Sequence, residues 1–259
     1  MVDLSTPIRI GGVTDMSTVD WYTNVSLVVF WAGCNIRCPY CHNSLLIPVD
    51  SGTLVDLSYL EDRLQKAMYP IPSLDAVVFT GGEPLMQVNA VIEAAKLVKK
   101  HGLKLMLDTN GTLYEEAERA LKTGLFDRVA LDVKSPLNAE AFGRLSQVPV
   151  MAEKYVDGIL KVIKLCNEHN IPIEARTTVA PGVSDGEEYI REIARVIKDK
   201  TLVYYLQQFD NQGDVLDPEL KKKDPTEKEL LIKLANIALD EGVTPVYIKT
   251  RFDGLEQIK

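Results

Sequence analysis

From Leu27 onward, short runs of apolar, often β-branched residues alternate with longer segments in which apolar positions recur every three or four residues. The runs Leu27 to Trp31, Ala76 to Thr80, Leu103 to Leu107, Arg128 to Leu131, Ile173 to Thr178 and Leu202 to Leu206 read as strands. The segments Leu57 to Met68, Val88 to Lys100, Tyr114 to Thr123, Tyr155 to His169 and Gly186 to Lys198 have helical period. In the second of these, Val88, Val91, Ile92 and Ala95 share one face at i, i+3, i+4 and i+7. A last helix from Glu227 to Asp240 is announced by Thr226 with Glu229 three residues on, the spacing of a capping box.

Six strand–helix units in series predict an α/β fold, a mostly parallel sheet with right-handed crossovers that curls or closes into a barrel. No shift in composition marks a linker. A single domain over residues 1–259 is therefore expected, with a core at roughly 8–210 and a helical extension at 211–259. The residues just past each strand are more informative. After the first come Cys34, Cys38 and Cys41, after the second Gly81-Gly82-Glu83-Pro84, and after the third Asp108-Thr109-Asn110-Gly111. The fourth ends in Asp132-Val133-Lys134, the fifth near Arg176 and the sixth in Gln207-Gln208. Polar and metal-ligating groups thus collect at the C-terminal ends of parallel strands, where barrel active sites are built. The loop from Ala32 to about Gly52 is long for such a connection, and loops of that kind inside domains are usually functional.

Charge and length narrow the function classes. Among 259 residues Lys plus Arg is 29 and Asp plus Glu is 37, a net charge of -8. That balance argues against nucleic acid as a partner, because phosphate neutralisation needs a basic face. The most apolar stretch, Val25 to Cys34, is about half of the roughly 18 to 20 residues that span a bilayer, so no membrane association is expected. The N-terminus lacks the basic start and apolar run of a signal peptide, and a cytoplasmic protein is expected.

Four cysteines are too few for a disulfide scaffold, and three of them form one C-x3-C-x2-C loop. In a reducing compartment such a cluster is more often a metal or redox site than a set of bridges. Three thiolates can hold three irons of a cubane and leave the fourth open to another ligand. A structural zinc site would need a fourth ligand. His42 adjoins Cys41 too closely to serve easily, and Cys166 lies on an apolar helix face with Ile159 and Ile163, where it reads as a buried core thiol.

The cysteine loop with Tyr40 before its third cysteine, Gly-Gly-Glu-Pro at 81–84, Cys-His-Asn at 41–43, Leu-Asp-Thr-Asn-Gly at 107–111, Leu-Asp-Val-Lys at 131–134 and Val-Ala-Pro-Gly at 179–182 together resemble the radical S-adenosylmethionine superfamily. The combination is similar to the glycyl-radical-enzyme activases, especially anaerobic ribonucleotide reductase activating proteins and pyruvate formate-lyase activating enzymes. The resemblance covers roughly residues 8–210 and implies a partial (βα)6 barrel. It assigns Cys34, Cys38 and Cys41 to a [4Fe-4S] cluster whose open iron takes the amino and carboxylate groups of S-adenosylmethionine. It places Tyr40 by the adenine and Glu83 by the ammonium of the cofactor. Gly81 and Gly82 would let the strand-end backbone approach the methionine moiety, although a Gly-Gly pair is also a plain turn.

Asp108, Thr109 and Asp132 would hold a monovalent cation, with Lys134 on the cofactor; an Asp132–Lys134 ion pair at the barrel mouth is the competing reading. Arg176 is open between a partner or cofactor contact and a structural ion pair. Where pyruvate formate-lyase activases carry a histidine after the sixth strand, this chain has Gln207 and Gln208. His101 and His169, near helix ends, read as dipole-compensating, and Lys221 to Lys223 as a solvated face.

The activity implied is reductive cleavage of S-adenosylmethionine to methionine and a 5'-deoxyadenosyl radical, which takes hydrogen from a backbone glycine of a partner glycyl-radical enzyme. An external low-potential donor such as flavodoxin or ferredoxin would supply the electron. Two other readings compete: a radical enzyme acting on a small molecule, like the deazapurine synthases, and a noncatalytic zinc-binding interaction protein.

Overall fold

All six apolar runs form strands in the computed structural model, which describes residues 2–68 and 74–259. The chain divides into two compact units. The first holds Met1–Asn35, Leu45–Thr109 and Leu113–Val129; the second holds Ile36–Ser44, Asn110–Thr112 and Ala130–Lys259.

The first unit carries β1 (Pro7–Ser17), β2 (Ser26–Trp31), β3 (Thr53–Asp56), β4 (Ala76–Gly81) and β5 (Lys104–Thr109) in the spatial order β3-β1-β2-β4-β5. Its three predicted strands β2, β4 and β5 run parallel, and β1 pairs antiparallel with both β2 and β3. Helices α1 (Leu57–Met68), α2 (Val88–Lys100) and α3 (Tyr114–Leu121) complete it. Ala76 to Phe79 are buried without alternation, as expected of a parallel strand covered on both faces. Phe79 meets Trp31 edge to face with centroids 5.4 Å apart. Helix α2 buries Val88, Ala90, Val91, Ala94, Ala95, Leu97 and Val98, while Ile92 is only half-buried.

The chain leaves the first unit within β6 (Arg128–Asp132). The second unit continues with α4 (Ala139–Ser146), α5 (Ala152–Glu168), β7 (Ile173–Val179), α6 (Glu187–Ile197), β8 (Val203–Gln208), α7 (Pro218–Lys221), α8 (Lys228–Asp240), β9 (Val246–Thr250) and β10 (Gly254–Ile258). Its strands lie in the order β6-β7-β8-β9-β10, with β7, β8 and β9 parallel and β10 antiparallel to β9. No helix among the described residues is long and apolar enough to cross a membrane.

The structure corrects two expectations. The segment after residue 210 is not only helical, since it closes with β9 and β10; Val246, Ile248 and Thr250 are buried and alternate with half-buried Tyr247 and Lys249, a strand period. The capping box at Thr226 does not form. Thr226 donates instead to the Val179 carbonyl at the end of β7, 2.8 Å away, and α8 starts after Glu227 with no side-chain cap.

Helix α4 is not among the elements expected from the sequence. It is started by Asn138, whose side chain accepts from the Ala141 amide at 2.9 Å. Asn138→Ala is expected to cost about 1 kcal/mol, the usual loss for a cap of this kind, read as a lower denaturant midpoint at unchanged slope.

Candidate functional site at the strand ends

In the first unit the site grows from the ends of β2, β4 and β5. Beyond Trp31 the chain runs Ala32-Gly33-Cys34, where the Gly33 amide donates to Leu46 O (2.8 Å) and the Cys34 amide to Ile47 O (3.0 Å). The outgoing and returning legs of the cysteine loop are thereby joined at Cys34. At the end of β4, the Gly82 amide donates to Trp31 O (2.8 Å) and the Glu83 amide to Gly33 O (2.7 Å). The two glycines have a local reason that sequence alone does not show. A Cβ on Gly82 would stand 2.2 Å from Gly33 O, and one on Gly81, whose φ is +114°, would stand 2.5 Å from the Trp31 backbone. Their bare backbones fit against the leg that presents Cys34.

Glu83 is fully buried. Its carboxylate caps the short turn Pro84–Gln87 by accepting from the Leu85 amide, and it accepts the Thr109 hydroxyl at 2.9 and 3.0 Å. The Thr109 hydroxyl, expected to act with Asp108, is thus turned to Glu83, while Asp108 accepts from the Thr80 hydroxyl at 2.7 Å.

The second unit carries the other half of the cysteine loop. The Cys41 amide donates to Cys38 O (3.0 Å), closing a turn, and the Arg37 amide donates to Ser146 O (2.8 Å). The segment after β8 runs along this loop as a strap. Leu216 N donates to Cys41 O and Asp217 N to Pro39 O, each at 3.0 Å, and Ser44 donates to Asp214 O through both its amide and its hydroxyl. No feature of 210–217 in the sequence announces this partner. None of the four cysteines forms a disulfide: Cys34 and Cys41 are half-buried, Cys38 and Cys166 buried.

Tyr40 is buried between these cysteines in sequence, and its hydroxyl takes no hydrogen bond among the described residues. Burial first, and Cys38 second, push its phenol well above the usual range. Burial likewise raises the Cys41 thiol, against hydrogen bonding from the Asn43 amide. Burial lowers His42, partly offset by Asp210. Lys134 and Asp132 form an ion pair at 2.6 Å, so the competing reading of this pair is present in the structure. Burial opposes the lysine's charge, but Asp132, then Cys38 and Tyr40, outweigh it and hold Lys134 as an ammonium well above its ordinary range. A positive charge is thus kept beside the cysteine turn. Tyr189 fixes the lysine's backbone by donating to its carbonyl at 2.9 Å.

Other candidates fall to structural work. Arg176 is buried and pairs with buried Glu174 at 2.7 Å through Nη2, with Nε on the same oxygen. Gln208 donates to Thr226 O (2.8 Å) and accepts from the Arg251 amide (3.0 Å), tying the approach to α8 to the end of β9, while Gln207 sits in the ladder between Thr178 and Lys249. Cys166 is fully buried in α5 and its thiol is pushed up to about 12. His101 and His169 are the C-cap residues of α2 and α5, and His101 also meets Glu61 at 2.7 Å. Lys222 pairs with Glu219, and Lys223 donates to Pro181 O. Among the described residues no three His, Cys, Asp or Glu side chains are grouped as ligands of a single metal ion.

Residues 28–197 match the sequence pattern of the Radical SAM superfamily. A protein of Methanocaldococcus jannaschii named as a glycyl-radical enzyme activating enzyme is 38% identical over 238 residues, covering 90% of this chain and 94% of its own. The pyruvate formate-lyase-activating enzyme of Clostridium pasteurianum is 30% identical over 194 residues, 73% of this chain and 76% of its own. Among solved structures, a radical SAM methyltransferase from Sphaerobacter thermophilus shares the fold at a TM-score of 0.70 and 14% identity, over 89% of this chain and 67% of its own.

Proposed function

The chain belongs to the radical SAM superfamily, and from that premise we propose that it is an activase that installs a glycyl radical on a partner enzyme. The observation that carries the proposal is the match, over nine-tenths of the chain, to a glycyl-radical enzyme activating enzyme. Membership implies a [4Fe-4S] cluster and S-adenosylmethionine, and the residues present fit both. Three thiols uncommitted to disulfides lie within one eight-residue stretch, and the buried hydroxyl of Tyr40, which stands between Cys38 and Cys41 in the sequence, is unpartnered among the described residues. When bound, the cluster supplies one electron to the sulfonium of S-adenosylmethionine, whose cleavage yields methionine and a 5'-deoxyadenosyl radical.

We assign the cluster to Cys34, Cys38 and Cys41. Cofactor binding falls to Tyr40, Glu83, Asp108, Asp132 and Lys134, with Gly81 and Gly82 shaping the backbone beneath. Lys134, kept charged by Asp132, offers an ammonium to an anionic cofactor group; Glu83, desolvated and braced by Thr109, offers a carboxylate to a cationic one. Burial around Tyr40 excludes water from a reactive intermediate. Hydrogen abstraction from the partner's glycine needs no acid or base from this chain. The balance is one electron from an external low-potential donor and one hydrogen atom from glycine Cα, giving 5'-deoxyadenosine and the glycyl radical.

The test uses a glycyl-radical enzyme deuterated at its glycine Cα, mixed with the reconstituted chain, S-adenosylmethionine and a reductant. Deuterated 5'-deoxyadenosine and a carbon-centred radical on the partner are expected, with only slow cofactor cleavage when the partner is left out. Efficient label transfer from a small molecule, with no partner radical under any reducing condition, would place the chain among small-molecule radical enzymes instead.

A further inference from the structure

Gln87 precedes α2 at the N-cap position, yet its side chain makes no cap there. The amide instead turns to the backbone beneath the cysteine loop. Oε1 accepts from the Arg9 amide at 2.9 Å, and Nε2 donates to Arg9 O at 2.8 Å and to Ala32 O at 2.9 Å. The acceptor and both donors of a primary amide are thereby used at once. Arg9 belongs to β1, and Ala32 follows the last ladder residue of β2, with its own amide donating to Arg9 O at 3.1 Å. Two residues further on is Cys34.

We propose that Gln87 is a positioning residue for Cys34. By tying the base of the outgoing leg to β1, it fixes where that thiol is presented to the cluster. The proposal rests on the reading of Cys34 as a cluster ligand. Besides the Ala32 and Gly33 amides, which donate to Arg9 O and Leu46 O, each residue of this leg has a further support in the first unit. Gln87 grips Ala32 O, the Glu83 amide grips Gly33 O, and Ile47 O grips the Cys34 amide.

The chemistry also says why glutamine stands here. Glutamate has the same reach and could still accept from Arg9, but it would set a negative carboxylate against two carbonyl oxygens. Methionine fills the space and offers no donor. Loss of a hydrogen bond that orients a metal ligand commonly costs about 10–100-fold in metal affinity, and Gln87 acts on Cys34 in this way through the backbone of Ala32, two residues before it.

The experiment compares full-length, anaerobically reconstituted wild type, Gln87→Met, Gln87→Glu and, as a control at an exposed position of α1, Gln65→Leu. Each is challenged with an iron chelator well below its melting temperature. Both Gln87 variants are expected to lose iron at least about tenfold faster than wild type, with an altered electron paramagnetic resonance line shape of the reduced cluster. In the iron-free proteins, alkylation should accelerate at Cys34 and not at Cys38 or Cys41. The Gln65 variant should match wild type in all three. Unchanged iron loss and line shape, iron loss only in step with global unfolding, or equal acceleration at all three cysteines would each overturn the proposal. If the glutamate variant does not fold, the methionine variant carries the comparison. Wild type that takes up no iron sinks the cluster reading, whereas iron-replete wild type with indifferent Gln87 variants sinks only this one.

Discussion

Replacing Cys34, Cys38 or Cys41 singly by alanine is expected to abolish the cluster, leaving iron and sulfide near background and no cleavage of S-adenosylmethionine. Two thiolates cannot hold a cubane that three hold with one iron open, so the effect of each substitution is close to complete rather than partial. Cys166→Ala is the internal control. Its sulfur is fully buried in α5 and its thiol is held protonated by burial up to about 12, so it is no ligand in competition with the loop. Cluster content should survive its removal. Iron and sulfide analysis of all four anaerobically purified variants checks the assignment, and a folded Cys166 variant without iron, or a Cys38 variant with a full complement, would defeat it. A zinc site would be recognised in the same assay by zinc without sulfide.

The parts of the molecule that could be read from the chain are those whose cause is local. β2, β4 and β5 are apolar on both faces and so appear as uninterrupted runs. β1 does not, because Gly11, Gly12, Thr14 and Asp15 break its pattern and its register with β2 shifts twice, so the strand exists by pairing rather than by composition. In α4 a glycine sits mid-helix for a tertiary reason. A Cβ on Gly143 would stand 3.1 Å from Pro149 Cα and 3.2 Å from Ala152 Cβ, so the close approach to the start of α5 favours the residue that dilutes the helical signal.

The same division holds within the site. The cysteines, Glu83, Asp108, Asp132 and Lys134 declare themselves because the chemistry proposed for them resides in their side chains. Gln87 and the strap at 210–217 do not, since their work is to hold backbone. Ser44 and Asp214 meet across 170 residues of sequence, and no spacing rule connects them. Arg176 is the opposite case, a conspicuous charge that the sequence left open between a contact and an ion pair, and whose position two residues from Glu174 on one strand already permits the buried pair that the structure contains.

Gly82 is where the structure changes an argument rather than extending it. If its missing side chain served the cofactor alone, a larger residue would weaken cofactor binding and leave the cluster untouched. The geometry predicts otherwise. The nearest atom to an added Cβ is Gly33 O at 2.2 Å, with Leu46 O at 3.3 Å, both backbone, so neither can swing aside as a side chain tip would. The same Gly33 O accepts the Glu83 amide at 2.7 Å, and Gly33 itself donates to Leu46 O. One methyl group therefore pushes apart β4's end and the leg carrying Cys34. Gly82→Ala is expected to destabilise the fold by roughly 1–3 kcal/mol, as overpacking does, and to lower iron content together with cofactor binding. Gly186→Ala is the matched control, because its Cβ would meet only Tyr189 Cβ at 3.6 Å, an ordinary contact, at a φ of -79°. Thermal melts and iron analysis of the two variants beside a titration with S-adenosylmethionine separate the cases. A Gly82→Ala protein with wild-type melting and full iron but weak cofactor binding would show that the added methyl group meets the cofactor and not the cysteine leg.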